Sequence, residues 1–145
     1  MDAILLDTDA FSYLMRRGDS RAEALRPHVA GKTVAVSFIT VGELYFGAEK
    51  GKWPAARLAD LEARLKAVVV VPFDVDLCRV YARTRAALPP GRTVAPNDLW
   101  IAACAIRHGI PLLTNNRRHF EPIPGLQLLP SEPPAPGIPG HVPPG

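Results

Sequence analysis

Short, purely apolar runs separated by longer stretches of helical periodicity are what most limit the folds open to this chain. Ala3-Ile4-Leu5-Leu6, Val34-Ala35-Val36, Val68 to Val71 and Leu112-Leu113 each read as a strand without a polar face, and Leu126 to Leu129 can add an edge strand. A strand without a polar face is covered on both sides. Such strands, alternating with helices, pack as a parallel sheet between two helical layers. The pattern predicts an α/β fold: a three-layer α/β/α domain around a central parallel sheet of four to five strands.

The helical stretches carry their own punctuation. Thr8 to Arg17 puts Phe11, Leu14 and Met15 on one face, and Ser20 to Val29 is followed by Gly31 as a stop. Ile39 to Lys50 is helical. Pro54 opens a helix to Lys66 in which Leu58, Leu61 and Leu65 recur at three and four residues. Asp74 can cap a helix running to about Leu88, where Pro89-Pro90-Gly91 breaks it; Pro96 starts another that reaches Arg107 and stops at Gly109. From Pro130 the character changes, with seven prolines and three glycines in the last sixteen residues. The folded domain is therefore placed at residues 1–129. Residues 130–145 read as a disordered tail of polyproline character, inert rather than a proline-recognition ligand.

Composition excludes several classes. With 48% hydrophobic residues in 145, the chain builds a core that needs no disulfide or metal staple. The longest uncharged apolar stretch, Leu99 to Ile106, is eight residues, against the ~20 of a membrane span. No basic region precedes an apolar one at the start, so a cytoplasmic protein without membrane contact is expected. Net charge is only +3, which does not by itself indicate a nucleic-acid partner. Arg outnumbers Lys 13 to 4, a ratio suited to phosphate but better explained by coding bias. Four histidines without a Cys/His cluster argue against zinc. Cys78 and Cys104 lie in apolar helical patterns and are expected to be reduced and buried.

The chemistry concentrates in carboxylates near strand ends. Leu6-Asp7-Thr8-Asp9 follows the first strand, Thr40-Val41-Gly42-Glu43 the second, Pro96-Asn97-Asp98 opens the helix before the fourth strand, and Thr114-Asn115-Asn116 follows that strand. In parallel α/β sheets the carboxyl ends of the strands form the ligand crevice. Each acid also has an ordinary explanation: Asp7 as a helix N-cap, Thr40 and Glu43 as a capping box, Asp98 as a first-turn charge favoured by the helix dipole. Together these explanations weaken, because Asp7 and Asp98 adjoin apolar runs and a carboxylate drawn inward is costly unless paired. No Lys or Arg lies within four residues of Asp7, Glu43 or Asp98. Clustered acids without a counter-ion either hold a proton or hold a cation. An all-oxygen set favours Mg²⁺ or Mn²⁺, which commonly serve phosphate chemistry.

These four stretches, as Asp7-Thr8-Asp9-Ala10-Phe11, Thr40 to Gly47, Pro96 to Ala103 and Leu113 to Phe120, together with Pro122-Ile123-Pro124-Gly125-Leu126, resemble the motifs of PIN-domain nucleases, in particular VapC-type toxins of bacterial VapBC toxin–antitoxin pairs. The resemblance spans Ile4 to about Leu129. It implies a Mg²⁺- or Mn²⁺-dependent endoribonuclease that hydrolyses RNA in line, leaving a 5′-phosphate and a 3′-hydroxyl. Asp7, Glu43 and Asp98 match the family's first three acidic positions and are the expected catalytic and metal-binding residues. Asn116 stands where many members carry a fourth acid, and it can offer a carbonyl oxygen instead. Thr114 and Asn115 match polar positions lining that site, and Asp9 an auxiliary position. The resemblance further implies a homodimer silenced by a VapB-like antitoxin. Arg85, Arg92, Arg117 and Arg118 are candidates for steering RNA, though ordinary surface charge explains each as well.

Three rivals remain at this level. Asp7-Thr8-Asp9 has the spacing of a haloacid dehalogenase-type phosphatase, but Phe11 breaks that motif and no lysine follows the fourth strand. A non-catalytic binding module of the same fold has only Asn116 in its favour. A housekeeping RNA-processing nuclease differs from a toxin mainly in its gene neighbourhood.

Overall fold

The computed structural model describes residues 2–16 and 18–130. The proline-rich stretch expected to be a disordered tail lies, beyond Pro130, outside the described residues. Five strands alternate with seven helices among the described residues: β1 Ala3–Leu6, α1 Thr8–Leu14, α2 Ser20–Val29, β2 Thr33–Ser37, α3 Phe38–Lys50, α4 Ala55–Lys66, β3 Val69–Val71, α5 Val75–Ala86, α6 Pro96–His108, β4 Leu112–Leu113, α7 Arg117–Phe120 and β5 Leu128–Leu129. All strand pairs are parallel, in the order β3-β2-β1-β4-β5.

The apolar runs are continuous because both sheet faces are buried, and residue parity divides them. Leu5, Ala35, Val71 and Leu112 face a core closed by Leu77 and Val80 of α5 and by Leu99 and Ile101 to Ala105 of α6. Ile4, Leu6, Val36 and Leu113 face the opposite core, closed by Phe11, Leu25, Leu44 and Leu61 from α1 to α4. The register keeps like with like: Leu5 pairs with Ala35 and Leu112, and Leu6 with Val36 and Leu113. Strand order reverses beside β1. The chain builds β2 and β3 to one side of it and β4 and β5 to the other, so a crevice opens at the carboxyl ends of β1 and β4.

Two expectations are corrected here. The third strand is not covered on both faces: Val69 and Val70 are 52% and 40% exposed and only Val71 is buried. It lies at the edge of the sheet, paired with β2 alone, where neither helical layer reaches fully over it. Cys104 is fully buried in α6, and burial pushes its thiol up to about 12, but Cys78 is only half-buried. Leu77, Val80 and Thr84 form the buried stripe of α5, and Cys78 sits about 100° round from Leu77 on its flank.

Candidate active site

Asp7 is held from two sides. It is the N-cap of α1, its Oδ1 accepting the Ala10 amide at 2.8 Å, while its Oδ2 accepts the Thr114 hydroxyl at 2.5 Å. Residues 107 apart meet because β1 and β4 are neighbours and each side chain comes directly after its strand. Asp7 is only 4% exposed. Burial pushes its carboxyl up to about 6, against the pull of the Thr114 and Ala10 hydrogen bonds, and the charges of Asp9 and Asp98 push the same way. The capping role and the site role therefore coexist in one carboxylate.

Glu43 is placed by a chain of hydroxyls. The expected capping box from Thr40 to Glu43 does not form. Ser37, three residues earlier, is the N-cap of α3 and its Oγ accepts the Thr40 amide at 3.1 Å. This leaves Glu43 free to turn inward. Its Oε1 accepts the Thr8 hydroxyl at 2.5 Å and its Oε2 the Asn97 amide at 3.0 Å. With the Thr8 proton committed to Glu43, the Thr40 hydroxyl donates to Thr8 at 3.0 Å and the Ser37 hydroxyl to Thr40 at 3.4 Å. Three hydroxyls thus point one way and end on the carboxylate, with Ser37 and Thr40 fully buried.

Asp98 lies in the first turn of α6, with its Oδ2 3.5 Å from His119 Nδ1. Its carboxyl is raised by partial burial, eased by His119 and raised further by Glu43 and Asp9. Asn116 donates its backbone N–H to Thr114 Oγ1 at 2.8 Å and its side-chain amide to Asp9 Oδ2 at 2.7 Å. Its side-chain amide N–H thereby ties down Asp9.

Asp7, Asp9, Glu43 and Asp98 line one cavity of about 570 Å³, together with Thr8, Asn97 and His119. Thr114 and Asn116 reach it through Asp7 and Asp9, and Asn115 is exposed and outside it. None of the four candidate arginines lines it. Arg85 donates to Tyr81 Oη at 3.2 Å, Arg117 to the Pro130 carbonyl at 2.7 Å, and Arg92 and Arg118 are exposed elsewhere. The roles of Thr8, Asn97 and His119 were not foreseen. Thr8 and Asn97 adjoin motif acids in sequence and His119 lies three residues beyond Asn116, and nothing local marks any of them as reaching across.

The wall's cation-binding groups are oxygens, apart from the His119 imidazole, and no lysine or arginine lines it. Among the described residues no three His, Cys, Asp or Glu side chains stand close enough to ligate one ion directly. Mg²⁺ suits such a spaced set, since it retains several waters and needs only one or two protein carboxylates.

This doubly covered parallel sheet with acids at its switch point defines a class, and the chain belongs to the PIN domain family, whose match runs over residues 4–126. Within the family its similarity is to the VapC group. It is 33% identical over 124 residues to Ribonuclease VapC2 of Haemophilus influenzae, covering 85% of this chain and 93% of that one. It is 32% identical over 127 residues to the tRNA(fMet)-specific endonuclease VapC of Salmonella typhimurium, covering 86% and 94%. Among solved structures, the DNA-bound VapBC of Salmonella typhimurium superposes with a TM-score of 0.78 at 32% identity, over 88% of this chain and 97% of that one.

Proposed function

We propose that this chain is a divalent-metal-dependent endoribonuclease, the toxin half of a toxin–antitoxin pair. The observation that carries it is the gathering of Asp7, Glu43 and Asp98 onto one cavity wall without a lysine or arginine to neutralise them. Asp7 and Asp98 are the groups that would hold Mg²⁺ or Mn²⁺, with Glu43 reaching it through one of the waters such an ion retains. When bound, such an ion lowers the pKa of a water and steadies charge on the leaving oxygen.

The chain's own groups do the positioning. Thr114 and the Ala10 amide keep both Asp7 oxygens in place, and Asn116 restrains Asp9. Glu43, with both oxygens already accepting hydrogen bonds from Thr8 and Asn97, is oriented to take a proton from an attacking water. His119 stands beside Asp98 on the same cavity wall.

The acidic cavity that takes a cation would equally accept a basic side chain, which gives a VapB-like antitoxin a way to silence it. A homodimer acting on cytoplasmic RNA completes the proposal. Among the described residues no helix is long and apolar enough to cross a membrane. The test is cleavage of RNA with Mg²⁺ or Mn²⁺ and with excess chelator. Cleavage is expected only with metal, and undiminished cleavage in chelator overturns the proposal.

A further inference from the structure

Phe46 is a large apolar side chain that neither core takes in. It is 66% exposed, yet it stands three residues beyond Glu43, one helical turn along α3, and lines the same cavity. The remaining wall is mostly acids, hydroxyls and amides. One turn further along the helix, Lys50 places its Nζ 6.0 Å from the Phe46 ring centroid. A lone exposed aromatic is ordinary. An aromatic at the mouth of a phosphate-processing cavity, with an ammonium beside it, is the pairing that unpaired nucleic acid uses: ring faces stack on bases and cations meet the backbone. A duplex would hide its base faces from such a ring.

Resting on the nuclease function proposed above, we infer that Phe46 is a stacking platform for an unpaired nucleobase flanking the scissile phosphate, with Lys50 engaging the adjoining backbone. Phe46 is a positioning residue here. It holds the strand so that the phosphate rests among Asp7, Glu43 and Asp98.

The test measures binding by fluorescence anisotropy of a labelled oligoadenylate and of an abasic oligomer of equal length. Both are read in the Asp98→Asn background, where the strand stays whole. Phe46→Ala should weaken oligoadenylate binding about tenfold or more, Phe46→Trp should preserve it, and the abasic oligomer should bind all three alike. Lys50→Ala should weaken both oligomers equally. Unchanged oligoadenylate binding by Phe46→Ala, or an equal loss on the abasic oligomer, overturns the inference. So does a Phe46→Ala protein that binds RNA normally but no longer holds a co-expressed antitoxin, which would make the ring a protein contact. A wild-type chain that binds RNA through Phe46 but cuts none would remove the nuclease function and leave the platform. A wild-type chain that cuts RNA while Phe46→Ala binds it unchanged would remove the platform alone.

Discussion

At the scale of single residues, Asp7 and Asp98 are carboxylates that the fold holds against their electrostatic preference. Asp7 titrates near 6 instead of at the ordinary 3.8. A carboxyl whose folded pKa exceeds its unfolded one binds its proton more tightly when folded. Its contribution to stability is therefore full below about 4 and lost as pH rises through about 6. Ionised Asp7 costs up to about 3 kcal/mol at neutral pH without a cation. Asp7→Asn should abolish metal-dependent RNA cleavage while raising the metal-free melting temperature at pH 7, and the gain should vanish near pH 4. Thermal melts across that range check it, and a variant that melts lower at pH 7 would contradict it. Asp98→Asn should likewise abolish cleavage with the fold intact. Asn116→Asp exchanges the hydrogen bond to Asp9 for a repulsion. It should lower metal-free stability and tighten divalent-metal binding, read by calorimetric titration.

At the scale of elements, α6 is the piece the core tolerates least change in. Ile101 to Ala105 are all at most 1% exposed, because the helix lies on the sheet with α3, α5 and α7 packed against it. Ala103→Leu has no void to fill and should cost about 1–3 kcal/mol in urea unfolding. The exposed edge strand behaves oppositely, and Val69→Thr should change stability by less than about 0.5 kcal/mol. The same contrast explains which elements were legible. Helix α2 matches its expected span because its signals are local, a helical run from Ser20 to Val29 and the Gly31 stop, and the structure adds Asp19 as its N-cap. A capping box at Thr40 was open as an alternative because Ser37 and Thr40 offer the same hydroxyl chemistry. Only the end of β2 decides which of them begins the helix. The covering of β3 was misjudged because a β-branched run reads the same at a sheet's edge and at its centre.

At the scale of the whole molecule, bound metal and folding should be linked. Adding Mn²⁺ should raise the melting temperature in proportion to the logarithm of its concentration above the dissociation constant. Asp7→Asn should remove that dependence. A chain ending at Pro130 should unfold and cleave RNA as the full chain does, since residues 131–145 lack the apolar periodicity of a packed element. Loss of stability in that truncation would show the segment to be part of the fold. Thiol labelling of the native protein should modify the half-buried Cys78 and spare Cys104.

What the sequence determined by itself is whatever depends on near neighbours. Apolar runs of strand length specify strands, though not which of them lies at the sheet's edge. Their alternation with helices specifies a parallel sheet, and that topology places residues just after strands at one edge. Of the three candidate acids only Asp7 directly follows a strand; Glu43 comes from α3 and Asp98 from α6, and they share one cavity wall although 36 and then 55 residues separate them along the chain. Only the tertiary structure decided how those acids are held. The Thr114 bond to Asp7, the Thr8 bonds to Thr40 and Glu43, the Asn97 amide and the His119 imidazole all join residues distant in sequence. A hydroxyl or amide has the same appearance in sequence whether it meets water or a carboxylate. Its partner exists only once the strand order sets β4 beside β1 and brings α3 and α6 together over the crevice.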